Sequence, residues 1–213
     1  GNLTREEVHQ LARSRLSVRD VPGTVLEAVW RHTEGNPFFA EESLLSLRDS
    51  GTLRISGEAC ALAPGITEVS ELPLSDTIEG VISRRIDRLS PQQQLTLKVA
   101  SVAGRSFEYG MLHDIYPIEA DRPSLRDHIS DLSSSGMVRE EGTHPDLTYI
   151  FRHVLIREVT YNLMLFAQRQ TLHQAIADWY HSRVQTDPHA YGALLAHHRE
   201  LAGQYDLASL ALE

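Results

Sequence analysis

Apolar residues recur at helical spacing along most of this 213-residue chain, and that pattern constrains the fold more than any other feature. Residues three or four positions apart share one face of an α-helix, so each such stripe predicts a helix with one buried side. Proline at a first turn and glycine after a last turn add start and stop signals, as at Pro37 and Gly51. The sequence therefore predicts a mainly α fold. The stripes lie in 8–16, 25–29, 38–47, 78–89, 95–103, 125–132, 155–166 and 172–180.

Two short segments favour strands instead. Segments 137–140 and 147–151 are β-competent, and the turn-rich 142–146 separates them. Alternation of Leu147, Tyr149 and Phe151 predicts one apolar face on the second strand. This hairpin is expected to be the main sheet, and it follows three predicted helices, which is the winged-helix order. An earlier segment, 53–73, is punctuated by glycine and proline and fits either a small hairpin or a mobile loop.

Charge and composition narrow the classes of partner and compartment. Twenty basic against 29 acidic residues give a net charge of −9, which disfavours a general nucleic-acid surface. No apolar run approaches the roughly 18–20 residues of a membrane-spanning helix, so no membrane partner is expected. The single cysteine, Cys60, allows no intrachain disulfide, and this fits a reducing, cytoplasmic location.

No constellation of residues predicts catalysis or a metal site. A phosphate-binding Walker A loop needs a Gly-Lys-Ser/Thr step, and the only lysine, Lys98, follows Leu97. The chain has 11 histidines, but no His-Glu-x-x-His pattern, and the neighbours His197 and His198 are expected on different sides of a helix. We therefore expect neither an enzyme nor a metal centre in this chain.

Two motifs carry the functional interpretation. The first is TEGNPFFAEE at 33–42, and the second is IFRHVLIREVTY at 150–161. In this order they resemble the segment that follows the nucleotide-binding core in signal-transducing AAA-like ATPases of the STAND type. Such ATPases are found fused to class III adenylate/guanylate cyclases, to protein kinases and to LuxR-type regulators. The resemblance covers essentially the whole chain and implies a helical lid at 1–90, a winged-helix domain at 91–166 and the start of TPR-like repeats at 167–213.

The resemblance also implies that the parent protein binds ATP or ADP with Mg²⁺. It assigns adenine contact to Gly35, Asn36 and Pro37, and contact with the β-phosphate of ADP to His153. The physical chemistry agrees, because glycine permits close backbone approach, proline presents an apolar ring, and a helix N-terminus favours anions. A structural interpretation stays open for both motifs. The first would be a helix N-terminus with two phenylalanines in the core, and the histidine would cap or pack at a strand-to-helix corner.

Three arginines on the predicted helix 78–89 form a weaker candidate. One of Arg84, Arg85 and Arg88, with Arg85 preferred, would sense phosphate, because guanidinium geometry matches phosphate oxygens. The alternative is a solvated face with salt bridges to Asp87 or Glu79.

The leading hypothesis is a regulatory segment that couples the ATP/ADP state of a parent ATPase to a cyclase or transcriptional effector, without catalysis of its own. Its expected partners are the P-loop core and the effector domain of the same parent chain, with a protein partner at the TPR-like tail. The alternative is a winged-helix DNA-binding regulator. Segment 121–141 argues against nucleic-acid binding, because its five carboxylates outnumber its three arginines and would repel phosphates.

Overall fold

Helices dominate the computed structural model of the protein, which describes residues 1–66, 72–142, 147–184 and 187–205. The mainly α fold with small antiparallel hairpins is confirmed. The chain divides into two compact units, Gly1–Arg88 and Leu89–Glu213. The finer division into a lid, a winged-helix domain and a TPR-like start stays a prediction.

The first unit packs its helices around one apolar core. Val8, Val25 and Leu44 have no exposed surface and lie at the centre of that core. Segment 53–73 resolves in favour of a hairpin over its first part, with Leu53 paired to Leu62, while 67–71 lies outside the described residues. The described elements of this unit are α1 (Arg5–Leu16), α2 (Gly23–Thr33), α3 (Pro37–Asp49), β1 (Leu53–Ser56), β2 (Ala59–Leu62) and α4 (Ile78–Asp87).

Local capping chemistry sets where these helices begin. Thr4 and Glu7 form a reciprocal capping box at α1, with the Thr4 N–H donating to the carboxylate of Glu7 at 2.8 Å. Helix α4 likewise begins after a capping residue. Thr77 is the N-cap, and its hydroxyl accepts the N–H of Gly80 at 3.1 Å.

The second unit combines further helices with a three-stranded sheet. Helix α5 begins at Ser90, where a second capping box with Gln93 forms, and it packs against α7, α8 and α9. The described elements are α5 (Pro91–Ala103), β3 (Ser106–Glu108), α6 (Tyr109–Asp114), a 3₁₀ segment (Glu119–Ser124), α7 (Leu125–Ser134), β4 (Val138–Glu141), β5 (Thr148–Phe151), α8 (Val154–Asn162), α9 (Phe166–Val184) and α10 (Pro188–Leu201).

This sheet departs from the predicted hairpin in two ways. Strand β5 is central and pairs antiparallel with β4 on one side and with β3 on the other, so the prediction missed β3. The expectation of a single apolar face was also incomplete, because Ile150 and Tyr149 point to opposite faces and are each only 8% exposed. Most of the turn between β4 and β5 lies outside the described residues.

Candidate functional site

The Gly35-Asn36-Pro37 turn joins α2 to α3, and close backbone packing fixes its shape. Gly35 has φ +74° and its carbonyl accepts the N–H of Leu3 at 2.6 Å. A Cβ on Gly35 would lie 2.3 Å from the carbonyl oxygen of Leu3, well inside van der Waals contact. Glycine is therefore required here by the N-terminal segment of the chain itself.

The next two residues begin α3 and face solvent. The side-chain oxygen of Asn36 accepts the N–H of Phe39 at 3.0 Å, and Pro37 occupies the first helical position, where its missing N–H costs nothing. Asn36 and Pro37 are both exposed, whereas Phe38 and Phe39 are half-buried rather than fully in the core. The turn is thus a sound helix N-terminus, and it also presents a proline ring and an amide to solvent from a rigid backbone.

His153 lies between β5 and α8 and caps the helix. Its Nδ1 accepts the N–H of Leu155 at 3.2 Å, so the neutral ring carries its proton on Nε2. The cap satisfies one of the unpaired N–H groups of the first turn. The corner position expected from the sequence holds, and the tautomer makes Nε2 a hydrogen-bond donor.

Arg85 is buried rather than solvated. Its side chain has 0% exposure, its Nε donates to Asp49 at 3.2 Å, and its Nη1 contacts the Glu42 carboxylate. Burial raises the pKa of the Glu42 carboxyl above its usual range, because the loss of hydration outweighs the attraction of Arg85. Arg85 therefore ties α4 to α3. Its predicted phosphate contact stays a prediction and would require this buried ion-pair cluster to open.

Arg84 on α4 and Arg88, the residue that caps its C-terminus, are exposed and bind backbone carbonyls. Arg84 donates to the carbonyl of Pro73 at 3.0 Å, and Arg88 donates to the carbonyl of Ser46 at 3.2 Å. Both contacts help to hold α4 within the first unit.

Two histidines to which the sequence assigned no role form a buried imidazole pair in the second unit. His173 on α9 and His198 on α10 approach with Nδ1 to Nδ1 at 2.9 Å, and the Tyr161 hydroxyl lies 3.0 Å from His173 Nε2. Loss of hydration lowers the pKa of His173 to about 4 and that of His198 to about 3. Helical spacing was the available signal, since His198 follows buried Leu195 by three positions. Adjacent His197 is exposed, so the two histidines lie on different sides of the helix, as predicted.

The described parts of the chain contain no group of three or more His, Cys, Asp or Glu side chains placed to hold a metal ion. Among the described helices, none has the length and apolar character needed to cross a bilayer. Each unit carries one of the two motifs, the 35–37 turn in the first and His153 in the second.

Comparison with known proteins gives two partial matches. Residues 4–60, which span α1 to α3, β1 and the start of β2, match the family described as a domain of unknown function, DUF8739. The chain is also 26% identical to an uncharacterized protein, R02095, from Rhizobium meliloti (strain 1021), over 59% of this chain. The matched region covers only 13% of that protein's length, so this chain is similar to a small segment of a much longer relative.

Proposed function

We propose that this chain is the regulatory, nucleotide-sensing segment of a multidomain signalling ATPase, where it couples the ATP or ADP state to an effector domain. The observation that carries the proposal is the exposed Asn36-Pro37 step on the rigid turn that opens α3. A flat purine needs an apolar surface whose backbone does not move, and this turn supplies one.

The contacts around the turn explain that rigidity. The chain is fixed before the step by the hydrogen bond between Leu3 and Gly35, and after it by the Asn36 cap on Phe39. The side chain of Asn2 adds a third bond, donating to the Glu34 carbonyl at 2.9 Å. A base resting on Pro37 would therefore meet a surface that costs little ordering entropy on binding.

His153 offers the second contact to the proposed nucleotide. Its capping bond orients the ring and assigns the Nε2 proton, and a helix N-terminus adds partial positive charge beside it. A donor of this kind suits a phosphate oxygen. ATP and ADP differ in their phosphate groups, so the protein can make unequal contacts with the two nucleotides. A switch between two states requires such unequal contacts.

The order of elements in the second unit supports the same interpretation. Helices α5, α6 and α7 with the β4–β5 hairpin follow the winged-helix order, and β3 lies between α5 and α6. In the parent, Mg²⁺ and the P-loop would come from the ATPase core. The length of the Rhizobium relative is consistent with a segment that works inside a large multidomain protein.

The first test is the coding sequence upstream of Gly1, which should contain a Gly-Lys-Ser/Thr phosphate loop. The second uses the parent protein and a fluorescent ADP analogue. Pro37→Ala should weaken ATP and ADP alike, because both carry adenine. His153→Ala should weaken ADP by about tenfold or more, the effect of losing a hydrogen bond to a charged group.

A matched variant separates the proposed phosphate contact from the helix cap. Asparagine is a good N-cap, so His153→Asn should keep the start of α8 while removing the Nε2 donor. The proposal requires His153→Asn to loosen ADP nearly as much as His153→Ala and to raise basal effector output. Unchanged ADP affinity and output in both variants would leave His153 as a helix cap only.

DNA binding by the second unit is the competing function, and the charge of its wing region disfavours it. Glu140 and Glu141 on β4 are exposed and outnumber the single Arg139 of that strand. A filter-binding measurement with duplex DNA at low salt decides between the two functions. Salt-dependent retention at micromolar protein would favour the DNA-binding alternative.

A further inference from the structure

A pocket of about 480 Å³ lies within the second unit and belongs to neither motif. The N-terminal half of α5 forms one wall, Pro117 a second, and the region from Met164 to the first turns of α9 a third. Its volume falls inside the range of about 300–1,000 Å³ that is typical of small-molecule sites. The lining side chains that matter most are Leu95, Lys98, Met164 and Leu172.

Several large apolar side chains that neighbour the lining residues in the sequence are exposed. Leu165 is 72% exposed and Phe166 is 67% exposed, and both lie between the lining residues Met164 and Gln168. Ile118, next to Pro117, is 44% exposed.

Lys98 supplies a cation to the lining. It is the only lysine of the chain, it is half-buried, and its Nζ has no ion-pair or hydrogen-bond partner in the regions that the structure covers. Because Lys98 is half-buried and lines the pocket, an anion that enters the pocket would pair with its ammonium group beside apolar walls.

The remaining polar side chains of the α9 wall are already engaged. The Gln168 side-chain oxygen accepts the N–H of Leu165 at 3.1 Å, and the Thr171 hydroxyl donates to the carbonyl of Ala167 at 3.0 Å. These two bonds leave fewer polar atoms of this wall for a ligand with many polar groups, such as a sugar or a nucleotide. The lining instead matches a ligand with one charge and an apolar body.

We propose that this pocket binds a small apolar carboxylate, with its carboxylate on Lys98 Nζ and its hydrocarbon body along Leu95, Met164 and Leu172. The proposal is independent of the nucleotide contacts, which involve other residues. It assigns the second unit a ligand class that the two motifs do not predict.

The composition of the chain gives the experiment two selective reporters. Labelling with [¹³Cε]lysine yields a single side-chain signal, from Lys98. Labelling of the methionine methyl groups yields three signals, of which Met164 lines the pocket, while Met111 and Met137 are buried elsewhere and serve as internal controls. The probes are octanoate, decanoate and dodecanoate, titrated below their micelle concentrations, with 1-decanol as the uncharged match for decanoate.

We expect saturable shifts of the Lys98 and Met164 signals with at least one of the three acids, and a weaker effect of decanol. Lys98→Gln should weaken the best acid by about tenfold, the value of a charge-assisted hydrogen bond, while decanol binding stays within about twofold. Thr171→Trp, at an exposed lining position, should block both probes by filling the pocket. Unchanged Met111 and Met137 signals in each variant establish that it is folded.

Three results would overturn the proposal: no saturable shift with any of the acids, equal affinity for decanoate and decanol, or undiminished acid binding in Lys98→Gln. Nucleotide binding by the parent protein does not enter any of these readouts. Failure here is therefore distinct from failure of the proposed function.

Discussion

Acidification should destabilise the second unit through the buried pair His173 and His198. Each imidazole has its pKa lowered from 6.5, to about 4 for His173 and about 3 for His198, mainly because burial removes the hydration of the charged ring. The two side chains belong to residues only 1% and 2% exposed, so solvent screening is weak. In the unfolded chain both rings regain an ordinary pKa.

The sign follows from proton linkage. Below pH 6.5 the unfolded chain binds protons that the folded protein does not, so stability is complete above 6.5 and is lost as pH falls towards the folded values of about 4 and 3. Two such groups give a slope of up to about 2.7 kcal/mol per pH unit, and between about pH 7 and pH 5 the loss is about 3–4 kcal/mol. That is a large part of the stability of an ordinary domain.

Urea denaturation at half-unit pH steps measures this loss. His198→Asn is the informative variant, because an amide nitrogen or oxygen can replace Nδ1 opposite His173 without titrating. Between about pH 6.5 and pH 5, its free energy of unfolding should change with pH about half as steeply as that of the wild type. His189→Asn, at an exposed position on the same helix, is the matched control and should keep the wild-type slope. Equal slopes in wild type and His198→Asn would refute the reasoning.

Three further predictions concern the first unit and the chain as a whole. Glu42→Ala should lower the free energy of unfolding in urea by about 3–5 kcal/mol, because Arg85 loses a buried partner, and adding Arg85→Met should recover part of that loss rather than double it. Gly35→Ala should lower the free energy of unfolding more than Gly51→Ala, although the φ angles of the two glycines are +74° and +73°, because an added Cβ would clash with backbone at Gly35 and not at Gly51. Gly51→Ala should lower it by about 1–2 kcal/mol. Equal losses in the two variants would contradict this reasoning. The isolated chain should bind ADP and ATP more weakly than micromolar in isothermal titration and should hydrolyse neither, because it has no Gly-Lys phosphate loop.

Local sequence signals predicted much of the helical framework. Pro37 placed the start of α3 correctly, because capping and proline geometry act within one helical turn. The predicted strands fell within one residue of β4 and β5. Strand β3 was missed because three residues are too few to show a period, and its pairing partner, β5, lies about 40 residues away.

The candidate site residues also fall into those that the sequence could identify and those that it could not. Their residue types could be identified from the two motifs, and the role of His153 as a corner residue follows from its place between a strand and a helix. Arg85 could not be assigned, because a helical wheel does not show that Glu42 and Asp49 of another helix enclose it.

What the sequence determined by itself was therefore the set of interactions within about one turn: helix starts, apolar stripes and the glycine-proline step at 35–37. Only the tertiary structure decided which polar groups lose water. The same residue type is exposed at His197 and buried at His198, and the fold alone brings His198 to His173 and places Lys98 in the lining of a pocket with Leu95, Met164 and Leu172. The physical reason is that hydration and charge pairing depend on neighbours distant in sequence, whereas capping and helical periodicity depend on neighbours three or four residues away.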